Sequence, residues 1–154
     1  MRDINDWFGG YSRDHQNPTN RAIHWVCVPA ILWSVVAMLW VVPVPAWLGR
    51  NGLWAALAMF LAFLFYQRLS RNIGLAMAAV FSAAALLSEG LFRWLGGSGL
   101  LWLAVAVFVL AWIGQFIGHA LEQQRPSFLT DLAYLLIGPA WLAGKLLRRL
   151  HINW

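Results

Sequence analysis

Cysteine and charge are what this chain of 154 residues has least of. A lone cysteine, Cys27, excludes an intramolecular disulfide and any cysteine-based zinc motif. Its place in an apolar run makes it a small buried hydrophobe. Charged residues make up only 11% of the sequence, against about 25% in an average soluble domain. The net charge of +5 therefore has no soluble domain on which to build a basic face, and no nucleic-acid partner is expected. The first 20 residues lack the apolar core of a cleavable signal peptide, so the first apolar segment must itself direct insertion. No glycine-rich phosphate loop is present; Gly96-Gly97-Ser98-Gly99 reads as a tight turn. No serine stands in a nucleophile-elbow context.

What the chain has in excess is apolar surface, 61% of its residues, and tryptophan, with 11 copies. Tryptophan concentrates where lipid meets water. Four apolar runs, about 22–42, 52–66, 73–92 and 99–118, each approach the length of about 20 residues that spans a bilayer, although the second is short. A fifth segment, about 129–150, contains Phe128, Thr130, Asp131 and Gly138-Pro139 and ends in Lys145, Arg148 and Arg149. It reads as an amphipathic or re-entrant helix, with a fifth span as the alternative. The expectation is an all-α polytopic membrane protein forming one domain over 1–154, with four transmembrane helices plus this C-terminal helix. Arg2, Arg13, Arg21, Arg68, Arg71, Arg125, Lys145, Arg148 and Arg149 fall on one side of the runs, and only Arg50 and Arg93 on the other. The positive-inside rule then places both termini in the cytoplasm. Trp40, Trp47, Trp54, Trp94 and Trp102 form a belt at the opposite interface. Glu89 and Arg93 are spaced to pair along one helix face.

With that topology, His15, His24 and His119 come to one face of the membrane. The first group reads Tyr11-x3-His15-Gln16-Asn17-Pro18-Thr19-Asn20-x3-His24. Asn17 before Pro18 is a helix start, because Asn caps and Pro at the first position has no amide hydrogen to lose. Asn20 and His24 then share a face, and Pro29 is expected to kink the helix. The second group, Gln115-x3-His119-x2-Glu122, also shares a face. Each helical histidine has a side-chain amide one turn before it, and Asn20 and Gln115 suit the role of fixing imidazole orientation behind a metal. Two readings stand for the histidines: a metal or catalytic site, or packing at helix ends. Two also stand for Glu122: a functional carboxylate, or a solvated anion paired with Arg125. Asn17, Asn20 and Gln115 serve equally as caps or interhelical hydrogen-bonders. His151 belongs to a basic tail and Asp131 to the start of the last helix.

At these two groups the chain resembles the membrane-bound 2-hydroxy fatty acid dioxygenase family. The match runs through Tyr11, His15, Gln16-Asn17-Pro18-Thr19-Asn20, His24 and Pro29. It resumes at Gln115, Gly118-His119, Glu122, Pro126-Ser127-Phe128, Asp131 and Gly138-Pro139. Cys27 stands where a small residue, often Gly, is expected. The resemblance implies an iron(II)-dependent oxygenase that shortens 2-hydroxy fatty acids by one carbon. It implies Fe2+ held by His15, His24 and His119, with Tyr11 and Glu122 as catalytic candidates and Asn20 and Gln115 behind the metal or against substrate. The implied partners are a 2-hydroxy fatty acid, O2 and membrane lipids, and the bacterial pattern implies an inner-membrane location. The residues alone also suit a membrane zinc hydrolase acting on lipid amides or esters, a b-type haem protein with His24 and His119 as axial ligands, or a structural membrane protein.

Overall fold

The computed structural model describes residues 3–122 and 133–153, and within them every regular element is a helix. In order these are α1 (Ile4–Arg13), α2 (Pro18–Trp40), α3 (Leu53–Leu69), α4 (Arg71–Leu121) and α5 (Tyr134–Arg149). Arg2, Arg125, Pro126-Ser127-Phe128, Thr130 and Asp131 lie outside the described residues.

The start of α2 follows the sequence reading. Asn17 is the N-cap, its side chain accepts from the amides of Thr19 and Asn20, and Pro18 opens the helix. The helix continues through Pro29 to Trp40. Helix α3 begins after Gly52 and ends at Ser70, which also caps α4 by accepting from the Ile73 amide. The third and fourth apolar runs are joined within α4. Gly96, with φ 72 and ψ 174, interrupts them, so the expected turn is a break at one glycine. Both halves pack on α2: Ala84 meets Val36 and Ala55, and Leu100 and Ala104 meet Ala37. Helices α2 and α4 are long and apolar enough to cross a membrane, and α3 is a shorter apolar helix.

Helix α1 is absent from the sequence reading, which takes residues 1–20 as a polar segment. Asp3 and Asp6 form a capping box, and Ile4, Phe8 and Tyr11 are buried along one stripe. Gly9-Gly10, Asn5 and Asp6 lower the intrinsic propensity and hide the pattern. That stripe packs with α5, whose Ile137, Ala140, Trp141 and Leu142 join one core with Tyr66, Ile73 and Met77. The last helix is therefore docked on the bundle. Its place is fixed in part by the Tyr66 hydroxyl, which donates to the Leu136 carbonyl at 2.8 Å.

The outward faces remain apolar. Val26, Phe60, Leu61, Leu86, Leu110 and Phe116 are each more than half exposed. Trp47, Trp94 and Trp102 are largely exposed as well, around the connections 41–52 and 93–102. Trp40 is turned inward and donates from Nε1 to Glu89 Oε2, while Glu89 Oε1 pairs with Arg93 at 2.6 Å.

Replacing Gly96 with Ala tests the break. No neighbour lies within 4 Å of an added methyl, so only the left-handed backbone resists. A loss of about 1–2 kcal/mol is expected, read as a lowered Tm in detergent. The control Gly90→Ala, in an ordinary helical position with equally open space, should not lower it.

Candidate metal centre

Three elements bring the histidines together. His15 sits in the connection after α1, His24 lies two turns into α2, and His119 lies at the end of α4. All three are buried, with 1%, 0% and 6% of their surface exposed. The ring centroids of His15 and His24 are 4.4 Å apart, and His119 lies 5.2 Å from each. One ligand-type atom from each falls within 4.8 Å of the other two.

Hydrogen bonding fixes how two rings present themselves. His15 Nδ1 donates to the Tyr11 carbonyl at 2.6 Å, and His24 Nδ1 donates to the Asn20 carbonyl at 2.9 Å. A carbonyl only accepts, so both Nδ1 atoms carry the proton. Burial pushes the His15 imidazole below its ordinary pKa, against the Tyr11 carbonyl and the charges of Asp14 and Glu122 that draw it up. The neutral ring then has its lone pair on Nε2. The Nε2 atoms of His15 and His24 face each other at 3.0 Å. Two lone pairs at that distance repel unless a cation satisfies both, and that donor set fits a metal ion.

At His24 the partner of Nδ1 is the Asn20 carbonyl and not the expected side-chain amide. On a helix a side chain leans back over the preceding turn, so imidazole Nδ1 reaches the carbonyl four residues earlier before it reaches that residue's side chain. Asn20 instead donates from Nδ2 to Glu122 Oε1 at 3.0 Å, and the Asn17 amide donates to the same oxygen at 2.7 Å. Desolvation pushes the Glu122 carboxyl up, but these two bonds, together with the charge of His15 and the Gln16 amide, hold it below the ordinary carboxylate range. Glu122 lies outside the three-histidine group; in this arrangement it ties the end of α4 to the start of α2. Gln115 Nε2 and His119 Nδ1 are buried and without a partner among the described residues. Tyr11 is stacked on His15 with centroids 4.1 Å apart and planes 11° from parallel. Burial, then the charge of Asp14, raises its phenol, which keeps the hydroxyl protonated. His151 is exposed in the tail, away from the cluster.

Trp141 is a member of this site that spacing does not reveal. Its ring lies 5.0 Å from Tyr11 and 5.8 Å from His15, and Nε1 donates to Ser12 Oγ at 2.9 Å. Lys145 Nζ lies over the same ring, 3.4 Å from its centroid. Burial, then Arg21 and Arg149, push that ammonium down to about 8. The only hint in the sequence is Trp141 four residues before Lys145, a spacing common to many helices.

Close helix approach makes the cluster possible. A methyl on Gly118 would collide with Asn20 Oδ1, and one on Gly114 would lie 2.6 Å from Cys27 Sγ. Cys27 thus occupies a small-residue seam between α2 and α4. Gly138 leaves similar room for the Tyr11 hydroxyl.

The cluster stands at one end of a cavity of about 450 Å³ between α2, α3, α4 and α5. Tyr11, His15, Gln115 and His119 line its polar end. Val35, Val36, Leu39, Ala58, Met59 and Phe108 line the apolar remainder.

Helices, buried histidines and this cavity together describe an all-helical protein with a candidate metal centre opening on an apolar chamber. The family model described as "Mpo1-like: 2-hydroxy-palmitic acid dioxygenase Mpo1-like" matches residues 1–150. The chain belongs to that family. It is 28% identical over 168 residues to the 2-hydroxy-palmitic acid dioxygenase MPO1 of Saccharomyces cerevisiae, covering 97% of this chain and 83% of the relative. No solved structure matches it.

Gly118→Ala should force α2 and α4 apart, with a stability loss of about 1–3 kcal/mol and a lower metal content after purification. Glu122→Gln keeps an acceptor oxygen but loses the charge. A loss of about 1 kcal/mol in thermal unfolding is expected, with metal content retained; complete loss of metal would make Glu122 a ligand instead.

Proposed function

We propose that this protein is an iron(II)-dependent membrane dioxygenase that converts a 2-hydroxy fatty acid to the acid one carbon shorter. The observation that carries the reading is the pair of facing imidazole nitrogens, with His119 beside them, at the polar end of an apolar cavity. Family membership supplies the reaction class. His15, His24 and His119 would hold the metal. Bound there, iron(II) would supply open coordination positions where the hydroxy acid and O2 meet.

The protein's own groups prepare that meeting. The apolar lining keeps water from the acyl chain and weakens competition for polar contacts at the head. Gln115 offers an unspent amide donor to a carboxylate, and the protonated Tyr11 hydroxyl offers a second. Tyr11 and Asn20 hold the His15 and His24 rings through their carbonyls, while Glu122 and Asn20 position α4 against α2. Overall, RCH(OH)COOH and O2 give RCOOH, CO2 and H2O. The C1–C2 bond breaks, and the substrate supplies all four electrons that O2 takes up, so no further reductant is needed.

The exposed apolar faces, the two long apolar helices and the exposed tryptophans support a bilayer setting. In the proposed topology α2, α3 and the two halves of α4 make four spans, with both termini in the cytoplasm of a bacterial inner membrane. Helix α5 then lies on the bundle at the cytoplasmic side. Zinc would suit the same three donors. The haem alternative gains no support, because His15 sits within 5.2 Å of both proposed axial rings, where a macrocycle would have to lie.

Protein purified without oxygen is expected to carry about one iron per chain, as three ligands with open positions require. It should consume O2 while shortening a 2-hydroxy acid. His119→Ala should lose both activities and most of the iron. Full turnover in that variant, or zinc-dependent hydrolysis without O2 uptake, would overturn the assignment.

A further inference from the structure

The cavity that begins at the histidines has a definite length and a definite floor. Along α2 it is lined from Val28 to Leu39, which at about 1.5 Å per residue is about 16 Å. Along α4 it runs from His119 to Phe108, the same number of positions. Its polar groups gather at one end; the Tyr66 hydroxyl along its wall is already spent on the Leu136 carbonyl. A ligand with one polar head and one apolar tail therefore enters this space in one orientation.

At the far end the cavity borders packed side chains. Leu39 and Met59 border the cavity and also pack on the cluster of Val36, Ala55 and Ala84, together with Trp40. Phe108 borders the cavity on the α4 side. An extended acyl chain with bonds of about 1.5 Å advances about 1.3 Å per carbon, so this stretch, which on α4 starts at His119 itself, holds about 12 carbons counted from the histidines.

We infer that the cavity is an acyl-length gauge, with Leu39 and Phe108 as its stop and Ala58 and Ala62 as the small residues on α3 that keep its bore open. The inference deepens the proposed function and rests on it for the identity of the head group. Ala58 and Ala62 are one helical turn apart, about 6 Å, on the wall that faces α2. Ala58 is exposed and Ala62 half-buried, so a larger side chain at either has space to enter the cavity. Ala62 is the nearer to the histidines, because α3 runs back from the Leu39 end toward Tyr66.

The test is a competition among saturated 2-hydroxy acids of graded length, comparing wild type with Ala58→Phe, Ala62→Phe and Phe108→Ala. The preferred length should fall in Ala58→Phe, fall by about four further carbons in Ala62→Phe, and rise in Phe108→Ala. The ratio of turnover between short and long acids should change by at least about 10-fold in each. Native mass spectrometry of each protein loaded with unsubstituted fatty acids reads the same order without chemistry, so the gauge stands or falls separately from the dioxygenase reading. An unchanged preferred length, an order other than this one, or a wild-type protein that retains no fatty acid of any length overturns the gauge. If Ala62→Phe does not fold, the order of the other three proteins decides.

Discussion

Everything in this structure depends on two imidazole nitrogens held where they would repel. His15 and His24 have each given the Nδ1 hydrogen to a main-chain carbonyl, so their remaining lone pairs meet at 3.0 Å. Buried polar groups left without a hydrogen-bonding partner are costly. The fold nevertheless commits several devices to the arrangement. Asn17 and Pro18 start α2 at the right residue, Tyr11 stacks on His15, and Glu122 fastens α4 against Asn17 and Asn20. Such a polar network rewards completion and penalises a missing member. A cation bound by both nitrogens would complete this one.

Packing explains how a hydrophobic chain keeps that network exact in place while leaving empty space beside it. Small residues at Gly114 and Gly118 draw α4 close to α2 at the histidine end. Further along, Val36, Ala55, Ala84, Ala37, Leu100 and Ala104 bring the helices together again. Between these two seams side chains from α2, α3 and α4 surround the cavity. Tight contact at both ends makes the chamber a fixed feature of the bundle.

Much of this was legible in the sequence. The Asn17-Pro18 start, the Glu89–Arg93 pair and the meeting of His15, His24 and His119 all follow from local spacing or charge distribution. Helix α1 was missed because its glycines and short polar residues weaken propensity, and its apolar stripe matters only once α5 covers it. Spacing pairs the His24 ring with the Asn20 side chain rather than its carbonyl, because it gives the face of a helix and says nothing about which atom on that face is nearest. The sequence offers Glu122 either chemistry or Arg125, which lies outside the described residues; that the Asn17 amide and Asn20 at the start of α2 donate to it is visible only once α4 is packed on α2. Trp141 could be read only from the tertiary structure, since nothing local distinguishes it from the chain's other tryptophans.

The histidine cluster is also discontinuous in time. Synthesis runs from the N-terminus, so His15 and His24 emerge together as a two-ligand half-site. They then wait for most of the chain to be made before His119 arrives. The loop between them is nearly a hundred residues long, and closing it carries an entropic cost that the helix seams and the third ligand share. An ion seated by all three histidines would therefore act as a seal on a finished chain: a truncated or misfolded copy would have the half-site but not the seal.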